Sequence, residues 1–268
     1  MATKTAAKGT AKGTAVGKAA NTAVASYEER LAKHAAETED QGRKTSAGKF
    51  ISMRGGVMMY DDNPVAGNQL DTVVVDFVNE NAFYDGKFDP NNPRPPVCYA
   101  FGRSEDEMKP HPDAPEPQCE TCDECEHNKF GTADDGEGKG KACKNIVRLA
   151  LLPASPLTVE AVRKADFAFV KTPVTSVKAW EGYKKSLKTL QKTIPIAVVT
   201  TISCTPDPKS QFKVTFGAKA ALPAAIGNAV FDRLEEAGEA LVQPYPEPEE
   251  KAPPAKPATR KSAAKKKY

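Results

Sequence analysis

The 268-residue chain contains no uninterrupted apolar run of the roughly 18 residues that a membrane-spanning helix needs. Its first residues, Met1-Ala-Thr-Lys-Thr-Ala-Ala-Lys, lack the apolar centre of a secretory signal. These absences exclude an integral membrane protein and point to an intracellular one. Aromatic residues make up only 7%, with one tryptophan, and the three histidines, His34, His111 and His127, all fall in tail or loop contexts. No Ser/His/Asp set, nucleotide loop or zinc-hydrolase signature is present, and Asp71 and Asp76 lack the spacing of a two-metal nuclease. The chain therefore reads as a non-enzyme. Gly138-Lys-Gly-Lys departs from a phosphate-binding P-loop, which needs Gly-x-x-x-x-Gly-Lys-Ser/Thr after a strand.

Acid is missing from two whole segments. Met1–Ala25 holds four lysines and no Asp or Glu, and Lys251–Tyr268 holds seven basic residues and no Asp or Glu. Arg103–Glu137 has the reverse balance, twelve acids against three basic residues. The net charge of +3 is thus a sum of opposites. Two basic tails around a body with an acidic loop suit a partner that is a polyanion.

Residues 1–48 are expected to form a low-complexity basic tail with a short helix over 26–38, and residues 244–268 a Pro/Lys-rich basic tail. Between them, 49–243 reads as an α+β core. Strands are expected over Phe50–Arg54, Val57–Tyr60, Leu70–Asn79, Val97–Phe101, Ile146–Leu152, Phe167–Val170, Ile196–Ser203 and Gln211–Phe216. A helix capped by Ser176 should run over Val177–Gln191 with Val177, Trp180, Tyr183, Leu187 and Leu190 as its apolar stripe. A second should run over Pro223–Ala240 on Ile226, Val230, Phe231 and Leu234. Short strands without regular βαβ alternation predict a small curled sheet or OB-like barrel with two amphipathic helices.

Five of the six cysteines, Cys98, Cys119, Cys122, Cys125 and Cys143, lie in or beside the acidic loop; Cys204, inside a strand, is expected to be a buried core thiol. A loop this long and this poor in apolar residues needs something other than a core to order it. Three devices use cysteines in this way: a disulfide framework, an iron–sulfur cluster or a structural zinc ion. Zinc is favoured, because it contributes on the order of 10 kcal/mol to local folding and the chain reads as intracellular. It takes four ligands, and Cys98, Cys122, Cys125 and Cys143 are the preferred set, with Cys119 as the spare and His111 and His127 as alternatives. The subdomain so ordered spans 98–145. Four thiolates close the coordination shell and leave no open position for catalysis.

Basic and aromatic residues crowd the same region. Lys139, Lys141, Lys144 and Arg148 follow the acidic run, and Phe83, Tyr84, Phe88, Tyr99 and Phe101 precede it. Aromatic rings interleaved with cations form stacking platforms for single-stranded bases. Tyr84 and Tyr99 are the candidate stacking rings, and Lys139, Lys141, Lys144 and Arg148 the candidate phosphate contacts.

The stretch from Tyr84 through Pro93-Arg-Pro-Pro-Val-Cys98, followed by Thr121-Cys-Asp-Glu-Cys125 and Gly138-Lys-Gly-Lys-Ala-Cys143, resembles a family of tailed-phage and prophage proteins. In that family a cysteine after a proline-rich turn, a Cys-x-x-Cys knuckle and a Gly-Lys-x-Cys segment recur together, which supports the same four cysteines. Its organisation is similar to that of the zinc-containing single-stranded-DNA-binding proteins of T-even-type phages, whose metal subdomain is inserted into an oligonucleotide-binding barrel. Those proteins use a histidine ligand and end in an acidic tail, whereas this chain ends in Lys265-Lys-Lys-Tyr268. The resemblance implies single-stranded DNA as ligand, replication or recombination proteins as partners, and the cytoplasm of a bacterial host as location. The alternatives are a zinc-ribbon adaptor for a polymerase-type protein and a DNA-compacting, virion-associated protein.

Overall fold

The β-branched run Val73-Val74-Val75 lies in the middle of the longest strand of the computed structural model, which describes residues 49–61, 63–86, 94–133 and 139–245. The helix expected over 26–38, nearly all of both tails, and Phe88 lie outside the described residues. Among the described residues nine strands form one sheet: β1 (Lys49–Arg54), β2 (Val57–Tyr60), β3 (Asn63–Pro64), β4 (Gln69–Phe83), β5 (Cys98–Gly102), β6 (Lys144–Pro153), β7 (Ala168–Thr172), β8 (Val198–Asp207) and β9 (Gln211–Ala221). Eight of them run in the order β3-β2-β1-β7-β6-β4-β8-β9, β5 pairs with β4 off this path, and of the described pairs only β1–β7 is parallel. The helices are α1 (Val159–Lys164), α2 (Val174–Ser186), α3 (Ala224–Phe231) and α4 (Leu234–Leu241). The expected α+β class with a curled sheet is what the chain adopts.

β4 organises the rest. One edge pairs with β6 along nearly its whole length; the other pairs with β8 over Gln69–Val73 and with β5 over Asn79–Phe83. The β4–β6 register slips between Val74 and Asp76, a bulge that inserts one residue and reverses the alternation of faces. Val74 and Phe77 thereby point into one core, and Val73, Val75 and Val78 into the other. Both faces are covered, which is why three consecutive valines are all buried.

The first core fills the concave side of the sheet around Trp180 and Leu187 of the α2 segment, where Trp180 meets Phe77 and Phe216 edge-on at 5.3 and 5.1 Å. The curl also brings the β1–β2 turn to the far strands: the Cys204 thiol donates to the Gly56 carbonyl at 3.4 Å, and a methyl group at Gly56 would touch Phe212. Cys204 is a buried thiol, as expected. The second core lies between the opposite face and α1, α3 and α4.

The helices depart from expectation in three places. Ser176 does not cap α2, which begins after Pro173. Its buried hydroxyl accepts the Val214 N–H at 2.9 Å and so ties the helix to the exposed edge of β9. After Ser186 the helix widens into a π-turn over Leu187–Gln191, and the altered rotation leaves Leu190 79% exposed rather than on the apolar stripe. The single helix expected over Pro223–Ala240 breaks at Asp232–Arg233. The break turns Arg233 inward, where it donates to the Val162 and Ala165 carbonyls at the end of α1 at 2.9 and 2.5 Å. Cationic donors suit that carbonyl-rich end. Phe231 and Leu234 consequently face solvent, and Ala237 and Leu241 take the buried positions.

Candidate functional site

The loop from Arg103 to Cys143 folds against the end of the sheet where β4, β5 and β6 meet. Its own apolar core is small: Met108 packs on Ala100 and Cys122, and a methyl group at Gly102 would stand 2.5 Å from the Met108 side chain. Backbone bonds anchor the loop at intervals. The His111 and Glu116 amides donate to the Tyr99 and Val97 carbonyls at 2.7 and 2.8 Å, and the Cys122 and Cys143 amides to the Met108 and His127 carbonyls at 2.9 and 2.8 Å. Asn128 joins three parts of it. Its amide nitrogen donates to the Cys122 carbonyl at 2.7 Å, while its oxygen accepts from Lys141 at 3.2 Å and Asn145 at 3.0 Å.

Within this frame the five loop-region cysteines line one pocket, together with Phe83, His127 and Asn128. Cys98 begins β5, Cys122 and Cys125 sit on the loop, and Cys143 ends it just before β6; these four are buried, and Cys119 is partly exposed. Burial, reinforced by the neighbouring Cys122, Cys125 and Cys98, pushes the Cys143 thiol up to about 12. Burial and a hydrogen bond with Cys125 push Cys119 to about 12 as well. Burial is also the main cause that raises Cys98 and Cys122. Thiols this close resist ionising together, and a bound cation reverses that preference. Among the described residues, no group of three or more His, Cys, Asp or Glu side chains is placed so as to hold a metal ion. The donor set nevertheless suits a thiophilic ion: four buried sulfurs, brought from separate stretches of chain to one pocket. His127 stacks on Phe83 at 4.0 Å and His111 on Tyr99 at 5.1 Å, so both rings are engaged with aromatic neighbours.

The candidate nucleic-acid residues divide. Lys139 and Lys144 are exposed, and Lys141 is partly exposed with its ammonium 5.2 Å from the centre of the Phe130 ring. Tyr84 is 39% exposed. Tyr99 and Arg148 do not meet the expectation, with 2% and 4% exposure. Tyr99 is enclosed by Phe101, His111 and Tyr245. Arg148 is turned inward onto Glu80 at 2.7 Å and onto the Leu241 carbonyl at 3.1 Å.

Two features escaped the sequence reading. Phe130 projects from the cysteine loop with 80% exposure, a little more than Leu190 at 79%. On the convex face, a polar network joins Glu80, which is fully buried, to Arg148, to Lys171 at 3.3 Å and to the Tyr245 hydroxyl. Tyr245 also accepts a hydrogen bond from Lys171. Burial opposes the charge on Glu80, yet Lys171 and Arg148 hold its carboxyl below the usual range. Burial lowers Lys171 to about 8 against the pull of Glu80. Tyr245 falls in the segment read as tail. An aromatic residue in a Pro-rich stretch was the one available signal that the chain is still docked there.

Set against protein-family models, curated proteins and solved structures, the chain matches none.

Proposed function

We propose that the chain is a non-catalytic single-stranded-DNA-binding protein of phage DNA replication or recombination. One zinc ion, held by Cys98, Cys122, Cys125 and Cys143, orders its loop on an OB-like curled sheet. The observation that carries this reading is Phe130. A large apolar ring left in water beside the Lys141 ammonium has no packing role, and a ring next to a cation is what an unpaired base with its phosphate requires. The loop that presents it has too small an apolar core to stay ordered alone, which gives the thiol cluster its task. Lys139 and Lys144 add charge on the same side of the sequence, and Tyr84 is a second ring open to solvent.

Titration of fluorescent oligo-dT at two salt concentrations tests the reading. Binding should weaken with a log–log slope of about −0.7 per phosphate contacted. Phe130→Ala should reduce affinity by roughly 5- to 100-fold, since a base stacked on an aromatic ring contributes about 1–3 kcal/mol. Equal affinity for duplex of the same length, or no binding by the wild-type chain, would remove it.

A further inference from the structure

The convex face around Phe50 and Lys171 has features that packing alone leaves unused. Phe50, on β1, is 38% exposed although its ring contacts Phe169 at 5.5 Å. The Lys171 ammonium lies 5.3 Å from the centre of that ring and 4.0 Å from the Tyr245 ring, and the Arg148 guanidinium lies 5.7 and 5.4 Å from the same two. One carboxylate, Glu80, serves both cations. The cluster therefore keeps one positive charge without a matching anion in it, and Lys171 is the cation that reaches solvent.

The Phe50 and Tyr245 rings contact the same Lys171 ammonium. A second observation is the course of β6. Lys144 and Arg148 share its convex side, four residues or about 13 Å apart. Lys144 donates to the Lys141 carbonyl at 3.3 Å, which links this face to the loop that carries Phe130.

We infer that the face around Phe50 and Lys171 is a second docking surface for single-stranded nucleic acid, with a base against Phe50 and a phosphate on Lys171. The inference rests on the single-stranded-DNA-binding reading and gives that reading its second contact point. A phosphate at Lys171 supplies the missing counter-charge. It also favours the charged form of a lysine that burial otherwise pushes towards neutrality.

The test is fluorescence anisotropy with full-length protein, oligo-dT and a matched duplex at two salt concentrations. Phe50→Ala should weaken oligo-dT binding by roughly 5- to 100-fold, while Phe50→Tyr restores it. Lys171→Met should flatten the salt slope by about 0.7, whereas Lys171→Arg retains the slope. Circular dichroism of each variant confirms that the sheet is intact, and Phe50→Tyr and Lys171→Arg keep the test decisive if the larger changes unfold it. If the wild-type chain binds oligo-dT and Phe50→Ala and folded Lys171→Met match it in affinity and slope, this surface is overturned while the parent reading stands. If the wild-type chain itself fails to bind, the parent reading falls.

Discussion

In the sheet sandwich, Val73, Leu149, Leu152 and Ile202 leave water on one face or the other. Among the described residues from Arg103 to Cys143, only Met108, Ala114, Ala133 and three cysteines reach comparable depth. The first region draws its stability from apolar area, at about 25 cal/mol per Å² removed from water. The second is held by backbone bonds to Val97 and to Tyr99 in β5 and by the side-chain bonds of Asn128 to Cys122 and Asn145, and on the function proposed above also by a metal ion on its thiols. A sheet with a core on each face tolerates one-sided exposure, whereas the loop, which displays Lys139 and Phe130, has few apolar side chains to bury. On the function proposed above, a metal ion on the sulfurs would tie the loop and leave its outer surface free for charge.

The contrast can be broken from the sandwich side first. Trp180→Ala removes the side chain between Phe77 and Phe216 and should cost about 3–5 kcal/mol, read as a fall of roughly 10 °C in Tm. Glu80→Gln attacks the polar part of the same platform. It leaves Arg148 buried and Lys171 largely so without a counter-charge, and denaturant titration should show a loss of about 3 kcal/mol. Gly102→Ala probes the hinge between the regions. The added methyl meets Met108 at 2.5 Å, so about 1–3 kcal/mol of strain should fall on the loop. Faster amide exchange should follow around Met108 and Cys122, with β4 and β8 unchanged.

Much of the sandwich was legible from residue type. Val73-Val-Val and Ile146–Leu152 marked their strands, and the stripe Val177, Trp180, Tyr183 and Leu187 marked the face of α2. The bulge at Val75 was not legible, because one inserted residue in a run of valines changes no local preference. The fates of Ser176 and Arg233 also depend on groups distant in sequence: the Val214 amide for one, and the last carbonyls of α1 for the other. Either residue read alone looks like a cap or a surface charge. The cysteines and their neighbouring lysines were legible through spacing and composition. Tyr99 and Arg148 were misjudged because amphipathic side chains are placed by what covers them, here His111 and the chain end at Leu241 and Tyr245. Phe130 is the converse case, since nothing in Lys129-Phe130-Gly131 separates a buried ring from a displayed one.

The central claim is that a metal ion held by four thiols orders the loop that meets nucleic acid. Its most direct test is amide hydrogen exchange on purified protein of known metal content, before and after a strong chelator, followed by oligo-dT titration of both samples. The account predicts one zinc per chain. It also predicts that metal removal releases protection at Cys122, Asn128 and Cys143, leaves β4, β6 and β8 protected, and weakens oligo-dT binding. Protein without stoichiometric zinc, or a chelated sample with unchanged exchange across 103–143, would contradict it.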